Sequence, residues 1–130
     1  MTNQDPKKMK VLVVDDEDVL RMLVGMTIDS VGLEMVEAGS GAEALEILQS
    51  QKIAFVITDI VMPGMSGMEF AEIVKNKSPL TDIILVSGNL TNQIEAQAAK
   101  LGICAILSKP YDYAEMERVI NTAAARAKSL

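Results

Sequence analysis

Val11-Leu12-Val13-Val14-Asp15-Asp16-Glu17-Asp18 decides the fold: four apolar, mostly β-branched residues run straight into four acids. A continuous apolar run of this length reads as a strand buried on both faces. Past the acids, Leu20, Leu23, Val24, Thr27, Ile28 and Val31 repeat at helical spacing until Gly32 stops the helix. The same strand-then-helix unit recurs. Further strand runs are Met35-Val36, Ala54-Phe55-Val56-Ile57-Thr58, Ile83-Ile84-Leu85-Val86 and Cys104-Ala105-Ile106-Leu107, each separated from the next by helical spacing. Parallel strands need long crossovers, so the alternation predicts an α/β fold, a doubly wound five-stranded parallel sheet with helices on both faces. The second strand, Leu33 to Ala38, carries Glu34 and Glu37 and is expected at an edge, half open to water.

Three helix starts are marked by chemistry as well as by period. Ser40 with Glu43, Ser66 with Glu69 and Asp112 with Glu115 have the spacing at which a short side chain and an acid satisfy free amide donors reciprocally. The fourth helix, around Thr91 to Leu101, has only Ile94, Ala98 and Leu101 on its apolar face and is expected to be the least firmly held. The last helix runs through Ala123-Ala124-Ala125-Arg126-Ala127 towards the chain end. The 130 residues fit a single domain over residues 10–128, after a flexible polar tail over residues 1–9.

Composition excludes several function classes. Eighteen acids against twelve bases give a net charge of -6, the wrong sign for direct DNA binding through a basic face. The chain has no histidine, the commonest general base and zinc ligand, which argues against hydrolytic triads and structural zinc. Its one cysteine, Cys104, has no internal disulfide partner and lies in an apolar run, so a buried thiol and a reducing cytoplasm are expected. No stretch approaches the roughly 20 apolar residues of a membrane span, and the start lacks a signal-peptide core.

Ligands of an open parallel sheet bind beyond the carboxyl ends of its strands. There the chain places Asp15 and Asp16 after the first strand, Asp59 after the third, Ser87 after the fourth, and Ser108 and Lys109 after the fifth. Singly, each has a plain alternative as a cap, a turn former or a surface charge. Jointly they converge on one rim of an otherwise apolar sheet. Two carboxylates about 4 Å apart at an effective dielectric of about 20 repel by about 4 kcal/mol, so three in one crevice call for a cation. Oxygen donors without sulfur or imidazole select a hard ion, and Mg2+ fits best. A carboxylate is already ionised at neutral pH and needs no general base to act as a nucleophile. The cluster reads as an acyl-phosphate site.

Taken together, Val13-Val14-Asp15-Asp16-Glu17, Asp59-Ile60-Val61-Met62-Pro63-Gly64-Met65-Ser66-Gly67, Val86-Ser87-Gly88 and Ser108-Lys109-Pro110 resemble the receiver domain of bacterial response regulators. The resemblance spans Lys10 to about Ala127. It implies a (βα)5 domain with the flavodoxin-like strand order 2-1-3-4-5. It further implies that Asp59 accepts a phosphoryl group from a partner histidine kinase or histidine phosphotransfer protein, in two-component or phosphorelay signalling. Mg2+ would then be held by Asp15, Asp16, Asp59 and the Val61 backbone carbonyl, Ser87 and Lys109 would take the phosphoryl oxygens, and the peptide before Pro110 would be cis. The domain would not be an enzyme, but would assist its own phosphorylation and dephosphorylation. Ile106 departs from the pattern, since relatives often place there an aromatic ring that swings inward on phosphorylation. The switch is therefore expected to run through Ser87. Val61 and Asn89 stand where relatives tune attack by water on the acyl phosphate, and an apolar Val61 implies slow self-dephosphorylation.

On a helical wheel Met22, Gly25 and Met26 fall opposite the core stripe of the first helix. They are the candidate surface for docking a donor helix, with Gly25 permitting close approach. Met62, Met65 and Met68 are expected to pack locally. The alternative is a Mg-dependent phosphatase of haloacid-dehalogenase type, which Asp16-Glu17-Asp18 imitates; its further acidic pair would have to be Asp112 and Glu115. A flavin-binding reading is opposed by the acidic first loop. A free-standing regulator acting through an unknown target on the fourth helix, fifth strand and fifth helix is the preferred reading.

Overall fold

The computed structural model describes residues 8–129. Strands and helices alternate in the order β1 (Lys10–Val14), α1 (Asp18–Ser30), β2 (Glu34–Ala38), α2 (Gly41–Ser50), β3 (Phe55–Asp59), α3 (Gly67–Lys77), β4 (Asp82–Ser87), α4 (Asn92–Leu101), β5 (Ala105–Ser108) and α5 (Tyr113–Lys128). Every strand pair is parallel and the order across the sheet is β2-β1-β3-β4-β5, as expected. Residues 1–7 of the expected flexible tail lie outside the described residues. Met9 already belongs to the fold, its carbonyl accepting the Glu34 amide at 3.0 Å. No helix among the described residues is long and apolar enough to cross a membrane.

The sheet divides the core in two because successive side chains of a strand point to opposite faces. Val11, Val13, Ile57 and Val86 pack under α1 and α5 with Ile28 and Met116. Leu12, Val14, Val56 and Leu85 pack under α2, α3 and α4 with Phe70 and Ala98. Each large side chain fully buried contributes roughly 1.5–3 kcal/mol, so the continuously apolar β1, β3 and β4 hold the sheet. The two edges, β2 and β5, are half-buried. At the rim opposite the acids, buried Asp82 is held by the Arg126 Nε at 2.9 Å.

The capping chemistry is complete at α3 and α5, where side chain and backbone bond reciprocally. At α2 the arrangement slips by one residue: Ser40 Oγ accepts the Glu43 amide at 3.1 Å, but Glu43 Oε1 accepts the Gly39 amide at 2.6 Å. Helix α4 starts with Thr91 Oγ1 accepting the Ile94 amide and ends at Gly102, whose φ of 73° is left-handed. Ala98 is its one fully buried side chain, which is the thin anchorage expected.

Helix α1 departs from the wheel. Leu23, expected in the core, is 51% exposed, whereas Gly25, expected to face water, lies over β2. A Cβ at Gly25 would stand 2.6 Å from the Met35 Cε. Arg21 turns inward on the same side of the helix as Gly25, and both lie over the β2 edge. Gly25 therefore lets the helix lie on Met35 and leaves the candidate docking surface. What remains exposed is an apolar face of Val19, Met22, Leu23 and Met26. Met62 and Met68 are buried locally and Met65 packs on Gly41, as expected.

Candidate functional site

Four strand ends build the site. Asp15, just past β1, is buried, its amide donating to the Ala38 carbonyl at 3.1 Å and its Oδ1 accepting the Glu17 amide at 2.9 Å. Asp59, the last residue of β3, is buried too. Its Oδ2 accepts from the Lys109 Nζ at 2.6 Å and its Oδ1 from the Val61 amide at 3.2 Å. Lys109 is positioned through its own amide, which donates to the Ser87 carbonyl at 2.8 Å and extends the β4–β5 ladder. Ser87 is buried, and its Oγ accepts the Asn89 amide at 3.1 Å, which leaves the hydroxyl proton free to be donated elsewhere. The Lys109–Pro110 peptide is cis.

Burial, reinforced by the charges of Asp59 and Asp16, raises the pKa of Asp15, against the opposing Glu17 amide and Lys109. Burial works against the charge on Lys109. The bond to Asp59, with the charges of Asp15 and Glu17 behind it, outweighs that and the lysine pKa rises. Negative charge thus exceeds what one ammonium neutralises.

The expected trio is not a uniform crevice. Asp15 and Asp59 are buried, while Asp16 is exposed, and among the described residues no three carboxylates stand close enough to form a ready-made cage. The donor set still fits Mg2+, which takes few carboxylates, keeps several waters and completes its shell with phosphate oxygens.

Ile106 is half-buried in β5, paired with Leu85, and packs on the α3–α4 side of the core. Asp112 and Glu115, the acids the phosphatase alternative requires, are engaged with each other's backbone at the start of α5, at 2.8 and 3.2 Å. Two contributors escape the sequence reading. Gly67 brings the start of α3 against the Asp59 carbonyl, so close that a Cβ would lie 1.9 Å from that oxygen. Arg21 binds the acidic loop; a lone base three residues after Asp18 is the only sign of it in the sequence.

Comparison with known proteins agrees with this geometry. The response regulator receiver domain family matches residues 11–121. The putative response regulator NtrX-like of Rickettsia felis is 32% identical over 107 residues, covering 81% of this chain and 22% of that protein. The chain thus spans about a fifth of that relative's length. Among solved structures, chemotaxis protein CheY4 of Vibrio cholerae superposes with a TM-score of 0.83 at 28% identity, covering 89% of this chain and 98% of the other. The response regulator TrrA of Thermotoga maritima, solved in complex with Mg2+ and BeF, superposes with a TM-score of 0.80 at 29% identity over 88% and 98% of the two chains. With the acids, hydroxyl and ammonium gathered on one rim of a 2-1-3-4-5 sheet, the chain belongs to the response regulator receiver family, the phosphoacceptor domains of two-component signalling.

Proposed function

We propose that Asp59 takes a phosphoryl group from a phosphohistidine on a partner histidine kinase or histidine phosphotransfer protein, and that the acyl phosphate switches binding of a downstream protein. The observation that carries this reading is the buried Asp59 carboxylate held by the Lys109 Nζ at 2.6 Å. A carboxylate oxygen forms the new O–P bond as the donor's N–P bond breaks. The bonding pair leaves with the imidazole, which takes a proton from water. None of these 130 residues is a histidine, so the phosphohistidine lies outside them.

Mg2+, which the Thermotoga relative carries, would be held by Asp15, Asp16, Asp59 and the Val61 backbone carbonyl and would neutralise the phosphoryl oxygens. Lys109 holds Asp59 before transfer and pairs with the phosphoryl group after it. The Ser87 hydroxyl donates to a phosphoryl oxygen, and drawing it in biases the loop that leads into α4, without an aromatic ring at Ile106. The output face is α4, β5 and α5. The donor docks on the exposed apolar face of α1, beside a groove of about 450 Å3 lined by Leu20, Leu23, Val24, Tyr113 and Met116 with Lys109 on its wall. The domain works in the cytoplasm and binds protein rather than DNA, in keeping with a net charge of -6. It is a signalling domain that assists its own phosphorylation and dephosphorylation, and it turns over no separate substrate.

Mass spectrometry after incubation with acetyl phosphate and Mg2+ tests this. One phosphoryl group per wild-type chain and none on Asp59→Ala is the expected result. Undiminished labelling of Asp59→Ala, or repeated turnover of a phosphate ester, overturns it in favour of the phosphatase.

A further inference from the structure

The Arg21 side chain is only 13% exposed and directs its donors to three acceptors on three segments. Nη1 donates to the Asp15 carbonyl at 2.5 Å, Nε to Glu37 Oε1 on β2 at 2.8 Å, and Nη2 to Asp18 Oδ1 at the start of α1. Apart from the Asp15 amide on the Ala38 carbonyl, the loop between β1 and α1 is held within itself and by the first turn of α1, and Glu17 at the helix start makes no side-chain cap. Among the described residues, Arg21 is the one side chain from outside this loop that bonds its backbone. The loop carries Asp15 and Asp16, adjacent like charges that favour splaying apart.

We infer that Arg21 is a positioning residue for the divalent cation: by pinning the Asp15 carbonyl to β2 and α1, it keeps the Asp15 and Asp16 carboxylates where one ion can use both. This rests on the receiver reading. The role has a sign that separates it from simple electrostatics. A guanidinium near a cation site repels the cation, so by charge alone its removal tightens Mg2+ binding. By positioning, its removal weakens binding, and loss of an outer partner of a ligating carboxylate costs about tenfold or more in metal affinity.

Isothermal titration of the full chain with MgCl2 reads the effect directly, without phosphorylation. Arg21→Met keeps the length and loses the charge. Arg21→Lys keeps the charge but has no planar fork to span three acceptors. Both are expected to bind Mg2+ about tenfold more weakly than wild type at a temperature where circular dichroism shows them folded. Tighter binding by Arg21→Met, or wild-type affinity in Arg21→Lys, overturns the inference while leaving the receiver reading intact. If Arg21→Met does not fold, Arg21→Lys alone decides. No Mg2+ uptake by the wild type removes the metal reading, and the role of Arg21 with it.

Discussion

Gly67 has no side chain, yet the acid beside it depends on that. The β3–α3 loop returns so tightly that the Gly67 amide bonds the Ile60 carbonyl at 2.7 Å and its α-carbon lies against the Asp59 carbonyl. The clash there is with backbone, which has no rotamer to yield. Gly67→Ala is expected to cost about 3 kcal/mol in urea unfolding, and a loss under about 1 kcal/mol would show that the loop has room. Val61 sits at the same rim, 74% exposed, with its amide on Asp59 and an apolar side chain that orients no water. Phospho-Asp59 is therefore expected to persist for minutes or longer, and Val61→Gln to shorten its life about tenfold by giving attacking water a partner. Loss of the label from wild type within seconds contradicts this. Asp15, Asp59, Ser87 and Lys109 were legible because each ends an apolar run. Gly67 and Arg21 were not: a close backbone approach leaves no pattern, and an inward-turned arginine among acids looks like any surface charge.

The elements were legible from period and caps, down to the edge position of β2. What the periodicity missed is rotation. A wheel assumes that the densest apolar stripe faces the core, but in α1 Arg21 turns inward and Leu23 stands in solvent. Just before β5, Cys104, expected to be buried, is half-buried, and it shows how partial burial translates into pH dependence. Burial, with the Asp82 charge adding to it, pushes the thiol above its ordinary value of 9.0, while Arg126 and Lys75 oppose the rise. Its Sγ donates to the Ile83 carbonyl at 3.3 Å. The folded chain thus holds the thiol proton more tightly than the unfolded chain. The contribution to stability is complete below 9.0 and is lost as pH rises through that value towards the higher folded one. Urea midpoints are expected to fall from pH 7 to about pH 9.5 more steeply in wild type than in Cys104→Ala. Equal slopes would falsify a half-buried, raised thiol.

Across the whole molecule, docking and labelling are expected to be separable. Val19, Met22, Leu23 and Met26 form an exposed face on α1, outside the acid cluster itself. Met22→Lys is expected to slow transfer from the phosphorylated donor about tenfold while labelling by acetyl phosphate stays at the wild-type rate. Equal loss of both places Met22 in the chemistry instead. The alternation of strand and helix followed from the five repeated units and the strand order from the family resemblance, whereas the division between the two sides of the sheet emerges only in three dimensions. Strand alternation puts Asp59 on the side of Phe55 and Ile57, under α1 and α5, but Ser87 on the side of Ile83 and Leu85, towards α4. Asp59 and Ser87 thus belong to opposite halves of the interior and meet only at the rim. On the proposed reading, a donor seated on α1 would leave α4, on the opposite flank, clear for a listener, whereas α5 shares the flank of the donor.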